Sequence, residues 1–204
     1  MRHGPRAAVQ ALLAFVLAGL LGADAWLGAC TALCATLVFP PAPWRPARAR
    51  DVLLRYGAWL GVWVVFAAAY LRVMGACGHP IAPQAQLLQL AEHGASLPDF
   101  WLRVLLIAGV APVVEEVIFR GYLYAAVAHA LPRGLTQLVV AALFGLAHGV
   151  EHALPIGALS LVFGHLRART GSLLPSTLAH AAHNGLTVAV VVWWPHLLDL
   201  LYAR

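Results

Sequence analysis

The chain contains no lysine: all 13 of its cations are arginines, set against 8 acids for a net charge of +5. Charged residues fill only 10% of its 204 positions, where soluble domains carry about 25%. With 62% hydrophobic residues and a mean hydropathy of +0.81, that scarcity excludes an ordinary soluble domain and indicates an integral membrane protein. Three cysteines, Cys30, Cys34 and Cys77, are too few and too oddly placed for a disulfide framework. Cys30 and Cys34, four apart in an apolar helix, read as packing residues. No basic patch interleaved with aromatics is present, so nucleic acid is not an expected partner; the expected surroundings are a lipid bilayer. Internal repeats and low-complexity segments are missing too, and the length leaves no room for a separate soluble catalytic module.

What is present is a series of apolar runs, at 7–23, 25–39, 52–74, 100–130, 135–151, 154–166 and 173–195, long enough or nearly so to span a bilayer. The first two and the sixth are short. The expected fold is therefore all-α: a polytopic transmembrane helix bundle with six or seven spans and an intramembrane polar cavity. Pro40-Pro41-Ala42-Pro43, followed by Arg45, Arg48, Arg50 and Arg55, makes a rigid basic loop, whereas 75–99 contains no arginine. If seven spans alternate, Arg2, Arg6, the 45–55 cluster, Arg133, Arg167 and Arg169 share one side. The positive-inside rule makes that side cytoplasmic and the N-terminus with it. Arg2 and Arg6, the apolar run after them and Ala23-Asp24-Ala25 imitate a cleavable signal peptide; the several later spans favour an uncleaved first span. Gly57-x-x-x-Gly61 and Gly145-x-x-x-Gly149 would let helices approach closely.

Against this background the second half places polar side chains where a bilayer centre would penalise each ionised group by roughly 2.5–3.5 kcal/mol. Glu116 and Arg120, four apart, share a helix face and can pair. Glu115 lies about 100° round the helix and has no obvious local cation, as a general base requires. His180 and Asn184 present imidazole and amide on one face, and Phe144 and His148 repeat the spacing. At about 1.5 Å per helical residue, Glu115 and His148 both come roughly 20 Å from the cytoplasmic ends of their helices, with His180 about 12 Å and Asn184 about 18 Å deep. Three helices thus bring polar groups to a common level. His183 points away from Asn184 and stands behind the site. His148-Gly149-Val150-Glu151-His152 also fits H-x-x-E-H, the zinc signature of inverzincins, which needs both histidines on one helix face and a later acidic ligand; after Glu151 only Asp199 remains.

Glu115-Glu116-x-x-x-Arg120, Phe144-x-x-x-His148 and His180-x-x-x-Asn184 together resemble the CPBP family: type II CAAX prenyl proteases and bacteriocin-processing intramembrane enzymes, also called Abi. Gly121 and the turn Thr170-Gly171-Ser172-Leu173 add to the similarity, which covers roughly 100–190. The resemblance implies catalytic helices over 100–195, with generic spans and loops over 1–99, in one integrated domain. It implies an intramembrane endopeptidase cutting a membrane-anchored protein or peptide, in C-terminal tail sorting or peptide maturation. Glu115 would activate water and His148 assist; His180 and Asn184 would donate to the oxyanion, while Glu116, Arg120 and Phe144 support them. The family has been described both as glutamic and as metalloproteases, so either no cofactor or a divalent metal such as zinc on Glu115, His148 and His180 is implied. An arginine-only, alanine-rich composition places the protein in a bacterial inner membrane. The alternative from another class is a non-catalytic membrane carrier or an immunity or scaffold protein that uses the polar core for proton or ion binding.

Overall fold

The computed structural model describes residues 4–202, which are helical with no strand among them; Arg2, counted above with the cytoplasmic arginines, lies outside them. The first three helices are α1 (Gly4–Ala23), α2 (Ala25–Val38) and α3 (Ala49–Ala76). A short α4 (Ala85–His93) folds within the arginine-free 75–99 segment because its leucines recur at helical spacing, and Leu90 is buried against Val188 and Val191.

From Phe100 to Ala130 the chain runs as one helix of five consecutive pieces. These are α5 (Phe100–Leu105), a wide π turn (Leu106–Val110), α6 (Ala111–Glu116), a second π turn (Val117–Leu123) and α7 (Tyr124–Ala130). The first π turn has a local cause. Pro112 offers no N–H and its ring crowds the carbonyl four residues back, so the helix widens. The Ala111 N–H then reaches the Leu106 carbonyl, five residues back, instead of that of Ile107. In the second, the Tyr124 N–H goes to Phe119 and Gly121 and bypasses the Arg120 carbonyl.

Beyond this central helix come α8 (Arg133–Leu146), α9 (Ala153–Thr170), α10 (Leu174–Trp193) and α11 (His196–Tyr202). Helices α8 and α9 lie against each other at Gly145, where a Cβ would run into the Ala153 carbonyl and the Gly157 amide. The close approach expected of Gly145 is present, but with Gly157. Gly149 sits in an open turn at φ +100°, and Gly57 and Gly61 face open space, so neither G-x-x-x-G pair forms a helix contact. Cys30, Cys34 and Cys77 are all free and exposed, so the packing role expected of the first two is not seen.

Two helices, Pro5–Ala23 and Ala49–Ala76, are long and apolar enough to cross a membrane, and α10 with α11, bent by 108°, makes a third if that pair is one span. This is fewer than the six or seven runs counted in the sequence. The runs at 25–39 and 135–151 fold as helices of 14 residues each, about 21 Å long against a hydrocarbon core of about 30 Å. The 100–130 run is interrupted by its wide turns and carries four charges.

The first half packs against the second at several points. Ala14 and Leu17 of α1 pack with Val117, Ile118 and Phe119 around the second wide turn. On α3, Tyr56, Trp63 and Tyr70, seven apart, aim their polar tips at one side. Tyr56 Oη meets His183 Nδ1 at 3.1 Å, Trp63 donates to the Pro155 carbonyl at 2.7 Å, and Tyr70 to that of Glu151 at 2.9 Å. The Pro-rich loop closes over the same end. Tyr122 donates to the Phe39 carbonyl (2.9 Å), the Leu173 N–H to that of Pro43 (3.0 Å), and the Arg45 N–H to Ser172 Oγ (2.7 Å). Gly121 has to be glycine here: a Cβ would lie 2.8 Å from the Pro41 ring.

Candidate active site

At the base of the site Glu116 and Arg120 are completely buried and pair at 2.9 Å (Oε1 to Nη1). The guanidinium is satisfied further by Nη2 donating to the Ser160 carbonyl (3.1 Å) and hydroxyl (2.5 Å). Its Cζ lies 4.4 Å from the Phe144 ring centre and 5.4 Å from that of Phe163. A buried ion pair gains from every further partner: here Ser160 meets one arm of the guanidinium and two aromatic faces flank it, while Arg120 Nε and Glu116 Oε2 have no hydrogen-bond partner among the described residues. Phe144 is therefore more than a neighbour of His148: one of its faces carries the arginine.

His180 is ordered by the same group. Its Nδ1 is 3.1 Å from Glu116 Oε1, its ring stacks on Phe163 (4.6 Å, 19°), and Phe144 meets it edge-on at 5.7 Å. A carboxylate oxygen only accepts, so Nδ1 carries the hydrogen and Nε2 faces the other way. His148 is set alike: Nδ1 lies 2.8 Å from the Phe144 carbonyl and must donate to it.

Both Nε2 atoms turn to one oxygen. Glu115 Oε2 is 3.7 Å from His148 Nε2 and 3.7 Å from His180 Nε2, and among the described residues it has no hydrogen-bond partner. These gaps exceed a direct hydrogen bond and suit a bridging water. The Glu115 side chain is 15% exposed and that of His148 26%, so the point of convergence opens on one side. Two pockets elsewhere, an apolar groove of about 230 Å³ between α3 and α10 and a smaller one beside Arg55 and Arg169, include none of Glu115, His148, His180 and Asn184 in their walls.

One sequence expectation needs correction. His148 is not on a helix face: α8 ends at Leu146 and His148 lies in the following turn, while Val150–His152 is a 3-10 turn. His148 and His152 therefore do not share a helix face, and the inverzincin spacing loses its geometric basis. The turn still delivers His148 because its ring is tied back to Phe144 in the last turn of α8. Asn184 stays on the same helix as His180 and gains a partner the spacing does not announce. Its Nδ2 donates to the Ile107 carbonyl at 2.9 Å, the one that the first wide turn strips of its usual partner, leaving one amide N–H for other use.

Glu115, His148 and His180 have the donor chemistry for zinc. Among the described residues, however, no group of three such side chains is arranged to hold a metal ion. Sequence reasoning missed Ser160 and Phe163, and it gave no partner to His183, which is buried between Tyr56 and Trp63. The signals were legible: Ser160, Phe163 and Arg167 recur at spacings of three and four along α9, and α3 carries aromatics every seventh residue.

Comparison with known proteins bears on the same stretch. Residues 97–186 match the family model of the type II CAAX prenyl endopeptidase, Rce1-like. The match covers less than half of the chain but includes Glu115, Glu116, Arg120, Phe144, His148, His180 and Asn184. No curated protein and no solved structure matches the chain. In the helices that converge on Glu115 the chain is thus similar to the type II CAAX prenyl endopeptidase, Rce1-like, over residues 97–186.

Proposed function

We propose that the protein is an intramembrane endopeptidase that cleaves a membrane-anchored protein or peptide, with Glu115 as the base that activates water. The observation supporting this reading is the convergence of one unpaired carboxylate oxygen and two imidazole Nε2 atoms at 3.7 Å. As Glu115 takes a proton from water, the water oxygen bonds to the scissile carbonyl carbon. His148 Nε2 orients that water. Charge developing on the carbonyl oxygen is met by the free N–H of Asn184 and by His180 Nε2–H. With Nδ1 committed to Glu116, His180 donates from Nε2 only when its ring carries both protons. One such donor is worth about 3–4 kcal/mol. Collapse breaks the C–N bond, and the proton on Glu115 passes to the leaving amine. Glu116, Arg120 and Phe144 hold the histidine and the base in register.

The same proposal includes the membrane setting: six or seven spans around a wet polar cavity, an inward N-terminus, and a bacterial inner membrane. The polar groups buried in α6, α9 and α10 are what such a setting requires.

The test is cleavage by the purified protein in liposomes, with a fluorogenic farnesylated CAAX peptide and a membrane-anchored reporter protein as probes. Wild type and His152→Ala are expected to cut, and Glu115→Ala and His148→Ala to fail. Loss in His152→Ala with tolerance of Glu115→Ala would restore the zinc reading, which metal analysis of the same sample checks. No cleavage by any form, wild type included, would favour the non-catalytic carrier.

A further inference from the structure

The two wide turns flank the glutamate pair, and each strips one carbonyl of its helical partner. Asn184 takes the Ile107 carbonyl. The second, that of Arg120, accepts Nε of Arg167 on α9 at 3.3 Å. Arg167 is half-buried, with its guanidinium 5.8 Å from the Tyr124 ring, the residue whose N–H bypassed that carbonyl. Arg167 thus closes the gap left by the turn and covers the residue that made it.

The consequence is one of register. A π turn inserts one residue into the helix and so rotates the segment before it by about 100° relative to the segment after it. Arg120 stands inside this turn and reaches Glu116 on one side and Ser160 on the other. Ser160 and Arg167 lie on the same helix, seven residues apart, so α9 grips Arg120 twice, by guanidinium and by carbonyl. Without the Arg167 donor, the Tyr124 N–H would be drawn back to the buried Arg120 carbonyl, whose desolvation costs about 1–3 kcal/mol if it stays unpaired. The turn would then tighten and rotate the segment that carries Glu115 and Glu116 out of register with α9, drawing Arg120 away from Ser160.

We infer that Arg167 is a positioning residue: by holding the Arg120 carbonyl it keeps the second wide turn open, and through Arg120 and Glu116 it fixes the orientation of His180 toward Glu115. A plain reading of Arg167 is a cation marking the cytoplasmic end of α9. The two roles make opposite demands on the side chain. Gln places an amide nitrogen at the same distance from the backbone as Arg Nε but has no charge. Lys keeps the charge and moves the nitrogen one atom further out. Met keeps the length and supplies no donor.

The inference rests on the peptidase reading for its kinetic consequence, so two readouts are needed. The first is independent of activity: ¹⁵N spectra of histidine-labelled protein in nanodiscs, with His180 assigned from a His180→Asn sample. Wild type and Arg167→Gln are expected to show His180 protonated at Nδ1, and Arg167→Met to lose or shift that signal. The second is peptide cleavage in the same nanodiscs, where Arg167→Met is expected to lower kcat ten- to a hundredfold with KM within about twofold, and Arg167→Gln to restore it. Unchanged His180 signals in Arg167→Met, or rescue by Lys and not by Gln, would overturn the inference and leave Arg167 a topological charge. If wild type cleaves nothing, the peptidase reading falls, and the histidine spectra still decide the role of Arg167.

Discussion

The outer faces of α1–α3 and the interior between the central helix, α9 and α10 obey opposite rules. On the first, Phe15 is 80% and Leu37 78% exposed; in the second, Glu116 and Arg120 are 0% exposed. A protein folded in water would sort these residues the other way. The difference shows which medium each region answers to. The outer faces need only be apolar, and so are tolerant. The interior has to pair the charged and polar groups it encloses with one another, since no outside partner is available.

The largest effect should come from breaking the interior pair on one side. Glu116→Leu or Arg120→Met alone leaves an unpaired buried charge and is expected to cost about 3–5 kcal/mol, read as a fall in the thermal midpoint of the detergent-solubilised protein. The double replacement should recover most of that stability without recovering cleavage, which separates holding the fold from ordering His180. A double variant as unstable as the singles would mean that Ser160, Phe144 and Phe163 matter more than the pair.

Gly145→Ala comes next, at about 1–3 kcal/mol, because the new methyl group meets the α9 backbone and not a movable side chain. Gly57→Ala, where nothing lies nearby, should be silent in the same assay. Tyr56→Phe removes the partner of a buried histidine and should cost about 1–2 kcal/mol. It is the variant that sharpens the comparison, since Tyr56 belongs to the first half but serves the interior. The smallest effect belongs to Phe15→Ala, within about 0.5 kcal/mol. A loss as large as that of Tyr56→Phe would show that the outer face of α1 has a protein partner and not lipid.

Part of this could be read from the chain directly. Glu116 and Arg120 pair at i, i+4, as their spacing dictates, and Glu115 is left facing two histidines, as a residue 100° away would be. The helices α1, α3 and α10 fall within or near the apolar runs counted. His148 reaches Glu115 by a route that its spacing does not announce. The sequence has no proline between Leu135 and Gly149, so a continuous helix is the natural reading, yet α8 stops at Leu146, just past Gly145, and a turn tied to Phe144 does the placing. Asn184 reads from the sequence as a donor to substrate alone, because nothing local announces that Pro112 frees a carbonyl on a neighbouring helix.

The amino-acid sequence alone determined the medium, the helical class and the set of residues able to do chemistry. These come from transfer energies and spacings along a single helix, which are local quantities. The tertiary structure alone decided the two wide turns, the grip of Arg167 and Asn184 on the carbonyls they free, and the direction of each imidazole. A donor is chosen by whichever helix lies alongside, and a ring nitrogen by whatever its other nitrogen has already bound; neither is written in the spacing of any one segment.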